Sequence, residues 1–281
     1  MMGKAGRSIG FVGLGAMGRP MAANLVAAGL PVTVFDTRAE PVDELVTSGA
    51  SSAPSLPELA VRCDVIGVCV VDDDQVMEVV AGKRSLLPAL RPGSVVVLHS
   101  TIHPDTAREV HRMCGEHCVD VVEVSVSGFP HKAAEGTLTL MIGGADELVE
   151  QLDPYLSAIG DHRFHLGPVG TGNAAKLANN VMWKIAMLGT FEGLNVARAN
   201  GVDVDTMVGV ALVSTGNSGA LQHCKSHGYR HDALAAGYWE GGATIGGDRI
   251  FETALAIARD NGTDLPVVGA VLRIIEDTAN D

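Results

Sequence analysis

The sequence predicts an α/β protein in two parts: a doubly wound parallel sheet over residues 1–167, then an all-α domain over 168–281 entered by a long interdomain helix. Three observations predict it. Short β-branched runs alternate with helical patterns through the first half, and a glycine-rich turn joins the first such run to the first helix. Past Gly167-Pro168 the β-branched clusters give way to long stretches of helix formers.

Ser8 to Val12 reads as the first buried strand. Met17, Met21, Leu25 and Ala28 then recur at helical spacing. Pro20 falls in that helix's first turn, where a missing N–H costs little, and Gly29 stops it. Val32 to Phe35, Val65 to Val71, Val95 to His99 and Val119 to Val124 are the next strands. Later strands are predicted at Thr139 to Ile142 and around Phe164, with one helix from about Asp146 to Ile159 between them. From Asn173 to about Asn200 only tolerated glycines interrupt the helical pattern, giving a rod of roughly 40 Å at 1.5 Å per residue. Its apolar residues, from Leu177 and Val181 to Leu194 and Val196, occupy nearly every side, which predicts burial between domains or between subunits.

Composition narrows the function classes. The 281 residues carry 47% hydrophobic and 19% charged side chains, and no stretch approaches the ~20 consecutive apolar residues of a membrane span. A net charge of −13 without a basic patch argues against a nucleic-acid partner. Lys4 and Arg7 precede an apolar segment broken by Gly10, Gly13, Gly15 and Gly18, which reads as strand and turn rather than signal peptide. Five cysteines without framework spacing fit a reducing compartment, so the expected location is the cytoplasm. No metal is expected. His111, Cys114, His117 and Cys118 lack the ligand turns of zinc sites, and Asp72, Asp73 and Asp74 are expected to cap the next helix rather than hold magnesium.

The strongest local signal is Gly13-Leu14-Gly15-Ala16-Met17-Gly18, directly after a strand and opening a helix. Gly13 allows the tight turn, Gly15 lets backbone approach a pyrophosphate, and Gly18 allows close helix-on-strand packing. This is the pattern of a Rossmann-type dinucleotide-binding domain. Asp36, 18 residues past Gly18 at the end of the second strand, is placed to accept from ribose hydroxyls. Its charge would repel a 2′-phosphate and so favours NAD over NADP, although Arg38, two residues on, could pair with that phosphate.

Lys176 is the second candidate. With the helix starting at Asn173, it falls in or near the first turn, where the helix dipole and burial both lower an ammonium pKa toward neutrality. A lysine so tuned can exchange a proton with a substrate oxygen. Asn180 lies at i+4 on the same face, able to hold that oxygen, and Lys184 continues the stripe.

With these blocks in place the chain resembles the β-hydroxyacid dehydrogenase family, the enzymes similar to 3-hydroxyisobutyrate dehydrogenase. The resemblance rests on Gly10 to Gly18 with Met21-Ala22-Ala23-Asn24-Leu25, on Ser100-Thr101-Ile102, on Val126-Ser127-Gly128 with Gly136-Thr137-Leu138, and on Lys176 to Asn180. It implies Lys176 as catalytic acid/base and Ser127, Gly128 and Asn180 as substrate-binding residues. It also implies Thr101 beside the nicotinamide and Val70, Val71 and Gln75 along the cofactor. An all-helical second domain and a homodimer or homotetramer follow from the same resemblance.

Departures qualify it. Phe129-Pro130-His131-Lys132 stands where the family has a second glycine and small residues, so Lys132 or His131 could add positive charge beside the substrate carboxylate. Arg249-Ile250 aligns with a family Lys-Asp pair near the cofactor, and Glu123-Val124-Ser125 replaces a more usual Asp-Ala-Pro. The expected activity is hydride transfer between NAD, or NADP, and a small β-hydroxyacid. The alternatives are an imine reductase-like enzyme, which would carry another residue at Lys176, and a catalytically silent cofactor-binding interaction protein, which would lack it.

Overall fold

The computed structural model describes residues 7–227 and 248–279. The chain divides into two compact units, Met1–Lys176 and Leu177–Asp281.

The first unit is an eight-stranded sheet. Its elements in chain order are β1 (Ile9–Val12), α1 (Gly18–Ala27), β2 (Val32–Phe35), α2 (Ala39–Thr47), β3 (Ser51–Ser52), α3 (Leu56–Arg62), β4 (Val65–Val68), α4 (Asp73–Ala81) and β5 (Val95–Leu98). Then follow α5 (Pro104–Gly115), β6 (Asp120–Ser127), α6 (Phe129–Glu135), β7 (Leu138–Gly143), α7 (Asp146–Gln151), α8 (Asp153–Ile159) and β8 (Gly160–His165). The strand order is β3-β2-β1-β4-β5-β6-β7-β8, so the winding reverses between β1 and β4, where such sheets open a ligand crevice at their carboxyl ends. All pairs are parallel except β6 with β7.

Both faces are covered, which is why the strands read as continuous apolar runs. Phe11, Val65, Val97 and Val124 point to one face, packing with Met21, Leu25 and Tyr155. Val12, Ile66, Val96 and Val121 point to the other, with Leu59, Val76 and Val110. A polar pair, His99 and Tyr155, sits within the first of these layers. His99 binds the Val124 carbonyl through Nδ1 at 2.9 Å and the Tyr155 hydroxyl through Nε2 at 2.7 Å. Burial pushes its pKa down to about 4, so the ring is neutral, with Nδ1–H donating and Nε2 accepting.

Several expectations shift in detail. The predicted strands ending at Val71 and His99 stop at Val68 and Leu98, whereas β6 runs on to Ser127. The helix expected over Asp146 to Ile159 is two, parted at Leu152, because Pro154 has no N–H to continue the ladder. Asp72 does cap α4, accepting from the Gln75 N–H at 2.9 Å. His117 and Cys118 lie beyond the end of α5, and among the described residues no group of three His, Cys, Asp or Glu could hold a metal.

The long helix α9 (Thr171–Ala199) leads into the second unit, where the described elements are α10 (Val204–Leu212), α11 (Gly219–His227), α12 (Asp248–Asp260) and α13 (Pro266–Ala279). Leu194 packs with Val204, Val208 and Leu221, and Phe251 with Val268 and Leu272. Lys184 is buried, its ammonium 5.8 Å from the centre of the Phe251 ring. Val196 and Met182 of α9 are exposed in the single chain. No helix among the described residues is long and apolar enough to cross a membrane.

Candidate active site

The glycine turn after β1 divides its glycines by role. Gly13 has φ +89°, and a Cβ there would collide with the Cys69 carbonyl; a Cβ on Gly18 would collide with the Gly13 carbonyl. The fold itself requires both. A Cβ on Gly15 would meet nothing within 4 Å, so what Gly15 leaves bare is backbone facing open space. Leu14 turns its side chain into the core, and Met17, whose side chain also packs there, is the N-cap of α1 without a side-chain cap bond. No side chain therefore competes with an anion at this helix start, although the Arg19 N–H already donates to the Gly15 carbonyl at 3.1 Å and Pro20 has no N–H to offer.

A cleft of about 540 Å³ brings together Gly13, Gly15, Asp36, Val70, Val71 and Gln75. Val70 and Val71 reach it because β4 ends at Val68. The Val70 N–H donates to the Ser100 hydroxyl at 2.9 Å, and the Val71 N–H to Gln75 Oε1 at 3.2 Å. Ala16, with Leu14, borders a smaller neighbouring hollow of about 190 Å³ that Arg19 and Arg38 also line.

Asp36 is tied into the turn. Its Oδ2 accepts from the Leu14 N–H at 2.6 Å, and its Oδ1 from the Arg38 N–H and Nε at 2.9 and 3.1 Å. Burial opposes its charge, but the bonds from Arg38 and Leu14 outweigh it and hold the carboxyl below the usual range. Arg38 is 62% exposed and also donates to the Leu14 carbonyl at 3.1 Å. Bare backbone at Gly15, a helix N-terminus that no side chain caps and a wall carboxylate fit a nicotinamide dinucleotide.

The loop after β6 is strained. Ser127 ends the strand, Gly128 follows with φ 146°, and Phe129 has φ 58°, in the left-handed region that a glycine would occupy without cost. The Lys132 stem folds over Gly128, since a Cβ there would stand 2.8 Å from Lys132 Cβ. Phe129 stacks on His131 with ring centres 6.3 Å apart, and both are exposed, as is Lys132.

Lys176 is partly buried on α9, and burial lowers its pKa to about 8. One expectation needs correction. The helix begins at Thr171 rather than Asn173, so Lys176 falls in the second turn, where the dipole has faded and desolvation alone shifts the ammonium. Asn180 lies one turn further on the same helix, partly buried, and Lys184 one turn beyond that. Thr101 sits between Ser100, which holds Val70, and Ile102, whose N–H donates to Asn173 Oδ1 at 3.0 Å. Arg249 lies in the first turn of α12, in the second unit.

Two residues escaped the sequence reading as parts of a site. Glu123 entered it only as a departure from the family pattern, and Asn173 only as a helix start. Both are wholly buried and bonded to each other. The available signal was a lone carboxylate within the apolar run of β6.

Comparison with known proteins bears on the family and the fold. Residues 8–167 match the family described as the NAD binding domain of 6-phosphogluconate dehydrogenase, and residues 170–281 that described as NAD-binding of NADP-dependent 3-hydroxyisobutyrate dehydrogenase. An NAD-dependent L-serine dehydrogenase of Pseudomonas aeruginosa is 37% identical over 77% of this chain and 72% of its own length. A 2-(hydroxymethyl)glutarate dehydrogenase of Eubacterium barkeri is 34% identical over 76% of this chain and 71% of its own. The structure of Mycobacterium tuberculosis 3-hydroxyisobutyrate dehydrogenase with L-serine superposes with a TM-score of 0.83 at 27% identity, covering 98% of this chain and 94% of that one. With its glycine turn, its cleft and its lysine helix, the chain belongs to the β-hydroxyacid dehydrogenase family.

Proposed function

We propose that the protein is a nicotinamide-dependent dehydrogenase that oxidises a small β-hydroxyacid to its semialdehyde or keto form and catalyses the reverse, with NAD preferred and Lys176 carrying the proton. The observation that carries the reading is a half-buried lysine with a pKa near 8, one helical turn from Asn180, in a chain that also builds the dinucleotide cleft. Both serine and 2-(hydroxymethyl)glutarate, for which the two relatives are named, carry a hydroxyl on the carbon β to a carboxylate.

A bound nicotinamide supplies the hydride acceptor in oxidation and the donor in reduction. In oxidation, neutral Lys176 Nζ takes the hydroxyl proton while the carbinol hydrogen leaves as hydride and the C=O bond forms. In reduction the ammonium returns that proton to the carbonyl oxygen. Asn180 orients the reacting oxygen. Ser127 and Gly128 hold the carboxylate through hydroxyl and backbone N–H, with Lys132 adding charge beside them. Gly13 to Gly18 cradle the pyrophosphate, and Asp36 accepts from the ribose. Val70, Val71, Gln75 and Thr101 line the cofactor, with Arg249 supplying a further cation. Exposed Met182 and Val196 on α9 support assembly as a homodimer or homotetramer. Five unpaired thiols fit work in the cytoplasm.

Lys176 favours this reading over imine reduction or a silent binding module. The direct test is turnover of purified protein with NAD and NADP against a panel of small hydroxyacids, aldehydes and cyclic imines. Reduction of NAD by a β-hydroxyacid is expected; turnover confined to imines, or none, would overturn the proposal.

A further inference from the structure

The first turn of α9 is held by a carboxylate from another element. Glu123, in the middle of β6, accepts through Oε2 from the Gly170 N–H and, at 3.3 Å, from the Gly172 N–H. Its Oε1 accepts from the Asn173 side-chain amide at 2.8 Å. Asn173 in turn accepts through Oδ1 from the Ile102 N–H at 3.0 Å, in the loop that carries Thr101. Glycines make the approach possible. A Cβ on Gly143 would collide with the Glu123 carboxylate, and one on Gly172 would stand 2.8 Å from the Met141 carbonyl.

The polarity of this network leaves one solution for residue 123. Gly170, Gly172 and Asn173 all present donors to it, so only a group with acceptors and no proton closes the set. Burial raises the Glu123 pKa, while the bonds from Asn173, Gly170 and Gly172 draw it back. A glutamine would turn its NH₂ toward that of Asn173. Flipping Asn173 moves the donor-to-donor clash to the Ile102 N–H without removing it, and a buried donor left unpaired is expensive.

Lys176 lies three residues past Asn173, one turn along the same helix. We infer that Glu123, through Asn173 and the first turn of α9, is a positioning residue that fixes Lys176 relative to the Thr101 loop. This rests on the reading of Lys176 as the proton carrier. An error of about 1 Å in such a group can cost about a hundredfold in rate, which is the scale at which a buried anchor matters.

The test compares Glu123→Gln and Glu123→Asp in the full chain. It measures kcat, KM for the hydroxyacid, NADH affinity by fluorescence, and the rate at which an N-hydroxysuccinimidyl ester acylates Lys176, followed by peptide mass spectrometry. Glu123→Gln is expected to lower kcat about 10- to 100-fold with KM and NADH affinity within about twofold, and to speed acylation at least about threefold. Glu123→Asp keeps charge and acceptors and is expected to recover most of kcat. If Glu123→Gln does not fold, Asn173→Ser, which leaves the carboxylate its backbone donors, is read by the same measures. Unchanged kcat together with unchanged acylation overturns the inference, as does a loss shared equally by kcat and NADH affinity. Lys176→Ala runs alongside: if it retains turnover, the proton role fails, while the acylation rates still decide whether Glu123 positions Lys176.

Discussion

Replacing Asp36 by serine removes the acceptor at the end of β2 and releases Arg38. In the structure the carboxylate takes the Leu14 N–H at 2.6 Å and three donors of Arg38, the longest at 3.4 Å, so at the cleft ribose hydroxyls compete for it with the exposed guanidinium. Hydrogen bonds to a charged acceptor contribute about 1.5–3 kcal/mol, so its loss should raise the Kd for NADH roughly 10- to 150-fold. The same change removes the anion opposing a 2′-phosphate and frees an exposed guanidinium, so NADPH affinity should hold or improve. Fluorescence titration with both reduced cofactors, together with kcat/KM for both oxidised ones, reads the change. Equal weakening of NADH and NADPH would mean that Asp36 only braces the glycine turn. A wild-type protein more efficient with NADP would refute the reasoning outright and make Arg38 the dominant determinant.

Gly15→Ala should weaken both cofactors about tenfold or more while leaving Tm nearly unchanged, because its Cβ enters open space, whereas Gly18→Ala should destabilise by about 2 kcal/mol or more; thermal melts beside cofactor titrations separate the two. Lys184→Ala should lower Tm through the lost contact with Phe251 and the lost buried stem, with kcat within a few-fold of wild type; Lys184→Met should recover part of the stability. Lys132→Ala and His131→Ala should raise KM about two- to fivefold for an acid bearing a second anionic group, and less for a plain monocarboxylic hydroxyacid. Equal KM changes on the two substrates would return the pair to an ordinary solvated loop.

Periodicity and glycine chemistry made most of the sheet legible. A buried parallel strand has no polar side, so Val65 to Val68 and Val95 to Leu98 announce themselves as apolar runs, and the glycine turn fixed where the first helix begins. The antiparallel pairing of β7 was not legible, because β6 runs past its expected end at Val124 to Ser127, which leaves before Leu138 a connection shorter than the dozen or so residues a parallel crossover needs. The helix α6 in that connection was hidden by its own start, where Phe129 adopts a backbone conformation its residue type disfavours. The strand β3 is two serines, too short for any pattern. Lys176 was legible from its helix and its neighbour Asn180, and so was the burial that lowers its pKa; its distance from the helix start, and hence from the dipole, was not. Whether Thr171 or Asn173 opens the helix depends on Glu123, 47 residues before Gly170, accepting the N–H groups that a local cap would otherwise hold. Tertiary capping of that kind leaves no trace in local spacing.

The proton role of Lys176 is tested most directly by the pH dependence of kcat in both directions, for wild type and Lys176→Ala. Burial lowers the lysine pKa to about 8, so the neutral base gains population as pH rises through that value and the ammonium acid loses it. Oxidation should therefore rise with pH through an inflection near 8, and reduction should fall through the same inflection. In Lys176→Ala both rates should drop at least about a hundredfold and lose the inflection, with NADH affinity nearly intact. A variant that keeps the inflection, or keeps turnover within a few-fold of wild type, would contradict the account.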